Sequence, residues 1–404
     1  MLTSVGVPIV SEAEPSVPDP ARPTLLCFSH LRWDFVFQRP QHLMSRFARE
    51  MTVVFWEEPV DIGRRDAAYL KVRQAENFPN VRVVTPHLPE GRDGAQREEA
   101  LGRLLDAHVS ITNGPLVTWY YTPMMLPFSR HLGASVVVYD CMDELSKFRF
   151  APEHLLALEQ ELIDRADLVF TGGASLYEAK KGRHSSVHCF PSSVDRDHFA
   201  RARRELPQPA DQAQLKHPRL GFYGVIDERF DIDLLREMAD MRPDWSFVMV
   251  GPVVKIGEDE LPRAANIHYV GGKTYEQLPA YLSGWEVALM PFAMNESTQF
   301  ISPTKTPEYL SGGKPVVSTP VRDVVRTYGH LQGVHIAHDA DGFVRCCELA
   351  LGQSRNEGDW LAEADLLLSA TSWETTQARM SGLIAEVLGE RTEQEAPALL
   401  VAAE

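Results

Sequence analysis

Apolar runs of four to seven residues recur along the chain, and most are followed by a stretch whose apolar residues return every three or four positions. The runs 24–29, 52–56, 81–85, 116–121, 135–140, 167–171 and 186–190 predict strands, and helical spacing over 40–50, 97–108, 152–166 and 175–182 lies between most of them. A second series begins near 219. It predicts strands 219–225, 246–250, 267–270, 286–291, 314–318 and 333–337, with helices 231–241, 275–284, 321–328 and 340–352. Near-continuous Val, Phe and Leu runs predict strands covered on both faces, as in a parallel sheet, and the alternation predicts a doubly wound α/β layer. The pattern breaks over 191–215, where Pro-Ser-Ser, a run of charges and Pro-Gln-Pro-Ala-Asp intervene. The expectation is two Rossmann-like domains, 23–190 and 191–371, each long enough to bury its own core. A helix over 372–390 and a tail over 391–404 follow. Residues 1–22, rich in Pro, Ser and Glu, read as a disordered leader.

Composition narrows the function classes. The 404 residues are 44% hydrophobic and 24% charged, as in a globular protein, and carry a formal charge of −16. That charge argues against nucleic acid as a partner and against purely electrostatic adhesion to an anionic membrane. No run approaches the roughly 18–20 apolar residues that span a bilayer. Cys27, Cys141, Cys189, Cys346 and Cys347 lack metal-ligand spacing and read as reduced, buried residues of a cytoplasmic chain. The basic clusters at Lys180-Lys181-Gly-Arg183-His184 and Arg201-Ala-Arg203-Arg204 read as solvated surface.

Residues 302–318 read Ser-Pro-Thr-Lys-Thr-Pro-Glu-Tyr-Leu-Ser-Gly-Gly-Lys-Pro-Val-Val-Ser. Thr306 as N-cap and Pro307 as first helical residue would leave free N–H groups as an anion site beside Lys305. Glu308, one step inside, can accept two hydroxyl hydrogen bonds. An ordinary capped helix and buried strand fits the same residues. Asp140, Asp143 and Glu144 crowd the end of one predicted strand, where buried charge needs a partner. Gly221 and Gly224 form a turn before Arg229, and Asp231 is a good cap for the helix behind it. Loop 271–275, with Gly272, Lys273 and Tyr275, follows a strand and opens a helix, with Thr274 as its cap. Loop 30–42 carries His30, Trp33, Phe37, Arg39 and His42, and also follows a strand. The pairs Asp195/Asp197 and Asp231/Asp233 read as helix caps, and no essential metal is expected.

Segment 302–318 resembles the donor-binding motif of GT-B glycosyltransferases, the group 1 or family 4 type. Further likenesses are the domain-entering step 190–195, the turn 221–224 with Arg229, the loop 30–42 and Ser372-Trp373-Glu374, which opens a helix crossing back to the first domain. The resemblance implies a GT-B fold, an α/β pair of Rossmann-like domains across a cleft, in an enzyme with no cofactor beyond its nucleotide-sugar substrate. It implies that Glu308 holds the donor ribose, that Lys305 and Arg229 clamp the diphosphate and neutralise the leaving group, and that Thr304, Gly224, Gly272, Lys273 and Tyr275 complete the donor site. Asp143 or Asp140 would touch the donor sugar or orient the acceptor hydroxyl, with Trp33, Phe37, His30 and Arg39 on the acceptor side. The motif style resembles retaining members, acting on a UDP-sugar or a related donor in cell-surface glycan or glycolipid synthesis, with peripheral contact at the inner membrane. Two positions depart from the family pattern: Phe300 stands where many members have a second glutamate, and Met142 where many have a histidine. A nucleotide-sugar 2-epimerase and a catalytically silent binding subunit are the alternatives on the same fold.

Overall fold

The computed structural model describes residues 8–12, 22–109, 114–355 and 358–401. Two sheets organise them. The first contains β1 (Ile9–Ser11), β2 (Thr24–Phe28), β3 (Thr52–Trp56), β4 (Val60–Ile62), β5 (Tyr69–Ala75), β6 (Phe78–Pro89), β7 (Leu116–Tyr120), β8 (Val136–Cys141), β9 (Leu168–Thr171) and β10 (Val187–Cys189). Their order is β1-β5-β6-β3-β2-β7-β8-β9-β10, with β4 also on β6, and every pairing is parallel except β5 with β6. The second sheet is wholly parallel and contains β11 (Arg219–Tyr223), β12 (Ser246–Val250), β13 (Ile267–Gly271), β14 (Val287–Met290), β15 (Val316–Ser318) and β16 (Val334–Ile336). Its order, β13-β12-β11-β14-β15-β16, is the doubly wound one, and β6-β3-β2-β7-β8-β9 repeats it in the first domain. In such sheets ligands bind beyond the carboxyl ends of the strands, where the strand order reverses.

The apolar runs form strands covered on both faces: all five residues of β2, β7, β11 and β12 are buried. Helix Trp373–Val401 crosses back as the sequence suggests, seating Trp373, Met380 and Ile384 in the first domain's core against helix Arg39–Phe47.

Several expectations need correction. Ile9–Ser11 lies within the expected leader yet pairs with β5, while 1–7 and 13–21 lie outside the described residues. β5 went unread because Lys71 and Arg73 interrupt its apolar residues, and β6 extends well beyond 81–85. Helix Asp359–Ser369 was not predicted, and the last helix continues through the expected tail to Val401. Lys180 is buried rather than solvated: its Nζ meets Glu144 and Glu159, each at 2.7 Å. Arg203, also expected at a solvated surface, pairs with Asp365 at 2.6 Å.

Polar contacts help to join the domains. The Asp323 carboxylate accepts from the Ser175 backbone N–H at 3.1 Å and from its hydroxyl, and Ser192 Oγ donates to the Ser302 carbonyl at 2.6 Å. A side chain at Gly173 would overlap Asp323 and Ser302, so only glycine permits this approach.

Candidate functional site

The carboxyl ends of the two sheets face each other across a cleft enclosing ≈ 1180 Å³, its open mouth included. Phe37, Arg39, Met142 and Asp143 line it from the first domain. Tyr223, Gly224, Arg229, Lys273, Tyr275, Thr304, Lys305 and Glu308 line it from the second.

Lys305 and Glu308 share the short helix Lys305–Ser311. Thr304, not Thr306, is its N-cap; Thr306 lies inside and turns its buried hydroxyl onto Met290 Sδ at 2.9 Å. Lys305 Nζ lies 5.6 and 5.9 Å from the ring centres of Phe222 and Phe292, and among the described residues it has no hydrogen-bond or ion-pair partner. Burial pulls its pKa down, and Glu308 opposes that most. Burial pushes the Glu308 carboxyl up, opposed by Lys305 and by the Tyr223 hydroxyl, which donates to Oε2 at 2.8 Å.

The glycines of the 221–224 turn do different work. Gly224 has φ +142°, its N–H bonds the Val250 carbonyl at 2.8 Å, and a Cβ there would fall 2.7 Å from Lys305 Nζ. Gly221 makes room for the buried Trp285 ring, which a Cβ would overlap. Arg229 is held by Asp227, with Nε at 3.0 Å and Nη2 at 2.7 Å from its carboxylate, and lies 5.3 Å from the Phe148 ring centre. Asp231 caps helix Ile232–Met241, accepting from the Leu234 N–H at 2.9 Å, and Asp195 caps Arg196–Ala200. Among the described residues no group of three or more His, Cys, Asp or Glu side chains is placed to hold a metal ion.

The carboxylates at the end of β8 separate by partner. Asp140 is fully buried, outside the cleft lining, and takes two hydrogen bonds from Arg39 at 3.0 and 2.8 Å. Glu144 pairs with Lys180. Asp143 remains, lining the cleft; burial raises its pKa, with Arg229 the strongest opposing group.

The loop 30–42 divides in the same way. Trp33 is 5% exposed and sits edge-on to Phe55 and Phe78 at 5.1 and 5.8 Å, so it is core rather than a sugar-stacking platform. Phe37 lines the cleft and tilts onto Tyr275 at 4.8 Å. His30 stands outside the lining, its buried Nδ1 without a hydrogen-bond partner and its pKa lowered to about 4 by burial, with Lys255 adding to the effect. His42 stacks on Trp373 at 4.7 Å. In the 271–275 loop, Gly272 is exposed and outside the lining, Lys273 Nζ pairs with Asp211 at 2.8 Å, and Tyr275 stacks flat on His198 at 4.1 Å.

Sequence reasoning missed Tyr223 and Asp227. Tyr223 carried a faint signal, a phenol at the carboxyl end of a parallel strand; Asp227 carried none, being one of three charges in Asp-Glu-Arg. At the departures from the family pattern, Phe300 packs half-buried against the first domain's core, and Met142 lines the cleft.

Residues 217–353 match the family described as group 1 glycosyl transferases. A putative teichuronic acid biosynthesis glycosyltransferase of Bacillus subtilis, TuaH, is 28% identical over 263 residues, covering 59% of this chain. The match spans 64% of that relative's length. Among solved structures, the E. coli trehalose-6-phosphate structure bound with UDP-2-fluoro glucose superposes with a TM-score of 0.64 at 13% identity, over 89% of this chain and 99% of that one. Sucrose-phosphate synthase of Thermosynechococcus elongatus gives 0.65 at 15%, over 91% and 100%. A trehalose-6-phosphate synthase analysed for glycosyl transfer with retention gives 0.61 at 13%, over 90% and 99%. The chain therefore has the GT-B fold, and its second domain resembles the group 1 glycosyl transferases in sequence.

Proposed function

We propose that the protein is a glycosyltransferase that moves a sugar from a nucleoside-diphosphate sugar to a hydroxyl acceptor. The carrying observation is Lys305, whose amine has no hydrogen-bond or ion-pair partner among the described residues and which lies three residues before a buried glutamate in a cleft between two domains. A cation so placed stabilises a diphosphate, and the Glu308 carboxylate accepts hydrogen bonds from a ribose diol. Arg229 sits close by, but Asp227 already offsets its charge. Lys305 is therefore the principal group for the negative charge that grows on the departing phosphate. Burial raises the pKa of Asp143, and its carboxyl lines the cleft, placed to hydrogen-bond a sugar or acceptor hydroxyl. Closure of the domains excludes water from a bond that water would otherwise hydrolyse.

The finer reading is a UDP-sugar donor, transfer with retention and a cell-surface glycan or glycolipid acceptor, met at the inner membrane by peripheral contact. The TuaH likeness supports the acceptor class, and the trehalose-6-phosphate neighbours support donor and retention. No helix among the described residues is long and apolar enough to cross a membrane.

The test is transfer of label from radiolabelled nucleotide sugars to a lipid and glycan extract. Wild type is expected to transfer from one donor class. Lys305→Met is expected to slow transfer by roughly 10²–10³-fold, as loss of one preorganised charge-stabilising group does. No transfer by wild type, or an unaffected Lys305→Met, would contradict the reading.

A further inference from the structure

Tyr223 ends β11, and its hydroxyl donates a 2.8 Å hydrogen bond to Oε2 of Glu308. The ring has little freedom to leave that carboxylate. It meets Tyr309 at 4.7 Å and Trp285 at 5.9 Å, lies nearly parallel to Phe199 at 6.1 Å, and is 4% exposed. The Tyr223 backbone N–H donates to the Tyr309 hydroxyl at 3.0 Å, so the residue is fixed at both ends. Gly221, by admitting Trp285, completes the packing on one side.

We infer that Tyr223 is a positioning residue: it holds the Glu308 carboxylate in one rotamer, with its remaining lone pairs turned to the cleft for the two hydroxyls of a ribose. The inference rests on the donor reading of Glu308 given above. A glutamate has three rotatable side-chain bonds, and a two-hydroxyl contact demands a defined orientation of the carboxylate plane. Fixing that plane before the ligand arrives lowers the ordering cost of binding. The phenol also acts on charge. Lys305 and Thr304 from the same helix and its cap, and Tyr223 from β11, favour the ionised carboxylate against burial. Tyr309 and Tyr275 also face it, as neutral phenols. The ionised form offers both oxygens purely as acceptors, whereas protonation turns one of them into a donor.

Wild type, Tyr223→Phe and Glu308→Ala are titrated calorimetrically with UDP, GDP, ADP and dTDP over a range of pH, with melting curves as a control on folding. Tyr223→Phe keeps the ring and the Tyr309 contact. It is expected to bind the preferred nucleotide about tenfold more weakly at neutral pH, the scale of a hydrogen bond to a charged group. With one of the groups favouring the ionised carboxylate gone, Glu308 protonates at higher pH, so the acid limb of binding moves up. A purely structural tyrosine would lower the melting temperature and leave that limb in place. Wild-type affinity and pH profile in Tyr223→Phe, with binding lost in Glu308→Ala, would overturn the role of Tyr223 and leave the donor site standing. Unchanged binding in Glu308→Ala, or no binding by wild type, would overturn both.

Discussion

Arg39 and Asp140 form a buried two-bond ion pair: Nε and Nη2 of the arginine reach the two carboxylate oxygens at 3.0 and 2.8 Å, with both side chains almost without solvent. Arg39 Nη1 adds a bond to the Phe190 carbonyl at 2.8 Å. The pair ties the loop after β2 to the end of β8 and to the exit from the first domain. Removing one partner strands the other charge in the core. Asp140→Ala is therefore expected to destabilise the fold by about 3–5 kcal/mol. Asp143→Asn, facing the cleft with no side-chain hydrogen-bond or ion-pair partner among the described residues, is expected to stay within about 0.5 kcal/mol of wild type. Denaturant midpoints compare them; similar losses for the two would contradict the assignment.

Two glycines three residues apart are expected to fail differently. Gly224→Ala puts a methyl beside Lys305 Nζ at a left-handed φ, so nucleotide binding is expected to fall with a modest loss of stability. Gly221→Ala forces the Trp285 ring out of the core, so the main loss is expected in stability, about 1–3 kcal/mol as in overpacked cores. Calorimetric binding and thermal melting, run on both variants, separate the two effects.

Asp323 and Ser175 join the domains. Asp323→Ala removes the acceptor for both the Ser175 N–H and its hydroxyl. Hydrogen exchange in the 173–180 segment is expected to accelerate, with the strands of both cores unaffected. Exchange that accelerates throughout the second sheet would instead mark Asp323 as part of its core.

Buried histidines set the acid side of stability. Burial lowers His30 and His108 to about 4 and places His42 well below its usual value. In the unfolded chain these groups bind protons as the pH falls through about 6.5, and in the folded chain they resist until about 4. The unfolded state then holds more protons, so stability is full above about pH 6.5 and is lost as the pH falls towards 4. Glu308 and Asp143, whose pKa values are raised, oppose this trend. The melting temperature is expected to fall from pH 7 to pH 4.5, and His108→Gln is expected to flatten the curve; a steeper curve in that variant would contradict it.

The sequence was most legible where one physical demand acted alone. Runs such as 135–140 and 246–250 are strands because they are buried on both faces, and caps such as Asp231 sit beside an obvious helical period. Legibility failed where polar residues have partners far away in the chain. Nothing local distinguishes Asp140, bound to a residue 101 positions earlier, from Asp143, which is left to the cleft. Likewise Trp33 and Phe37 share one loop, yet one fills the core and the other faces the cleft. Thr306 looked like a cap because Pro307 follows it, but a threonine inside the first turn satisfies its hydroxyl on Met290.

The central claim is that Lys305 and Glu308 hold a nucleoside diphosphate. The most direct test is thermal melting of wild type and Glu308→Ala with a panel of nucleoside diphosphates and their sugars, without added metal. The account predicts that one nucleotide class raises the wild-type melting temperature and that this rise disappears in Glu308→Ala. No rise with any of them, or an equal rise in both proteins, would contradict it.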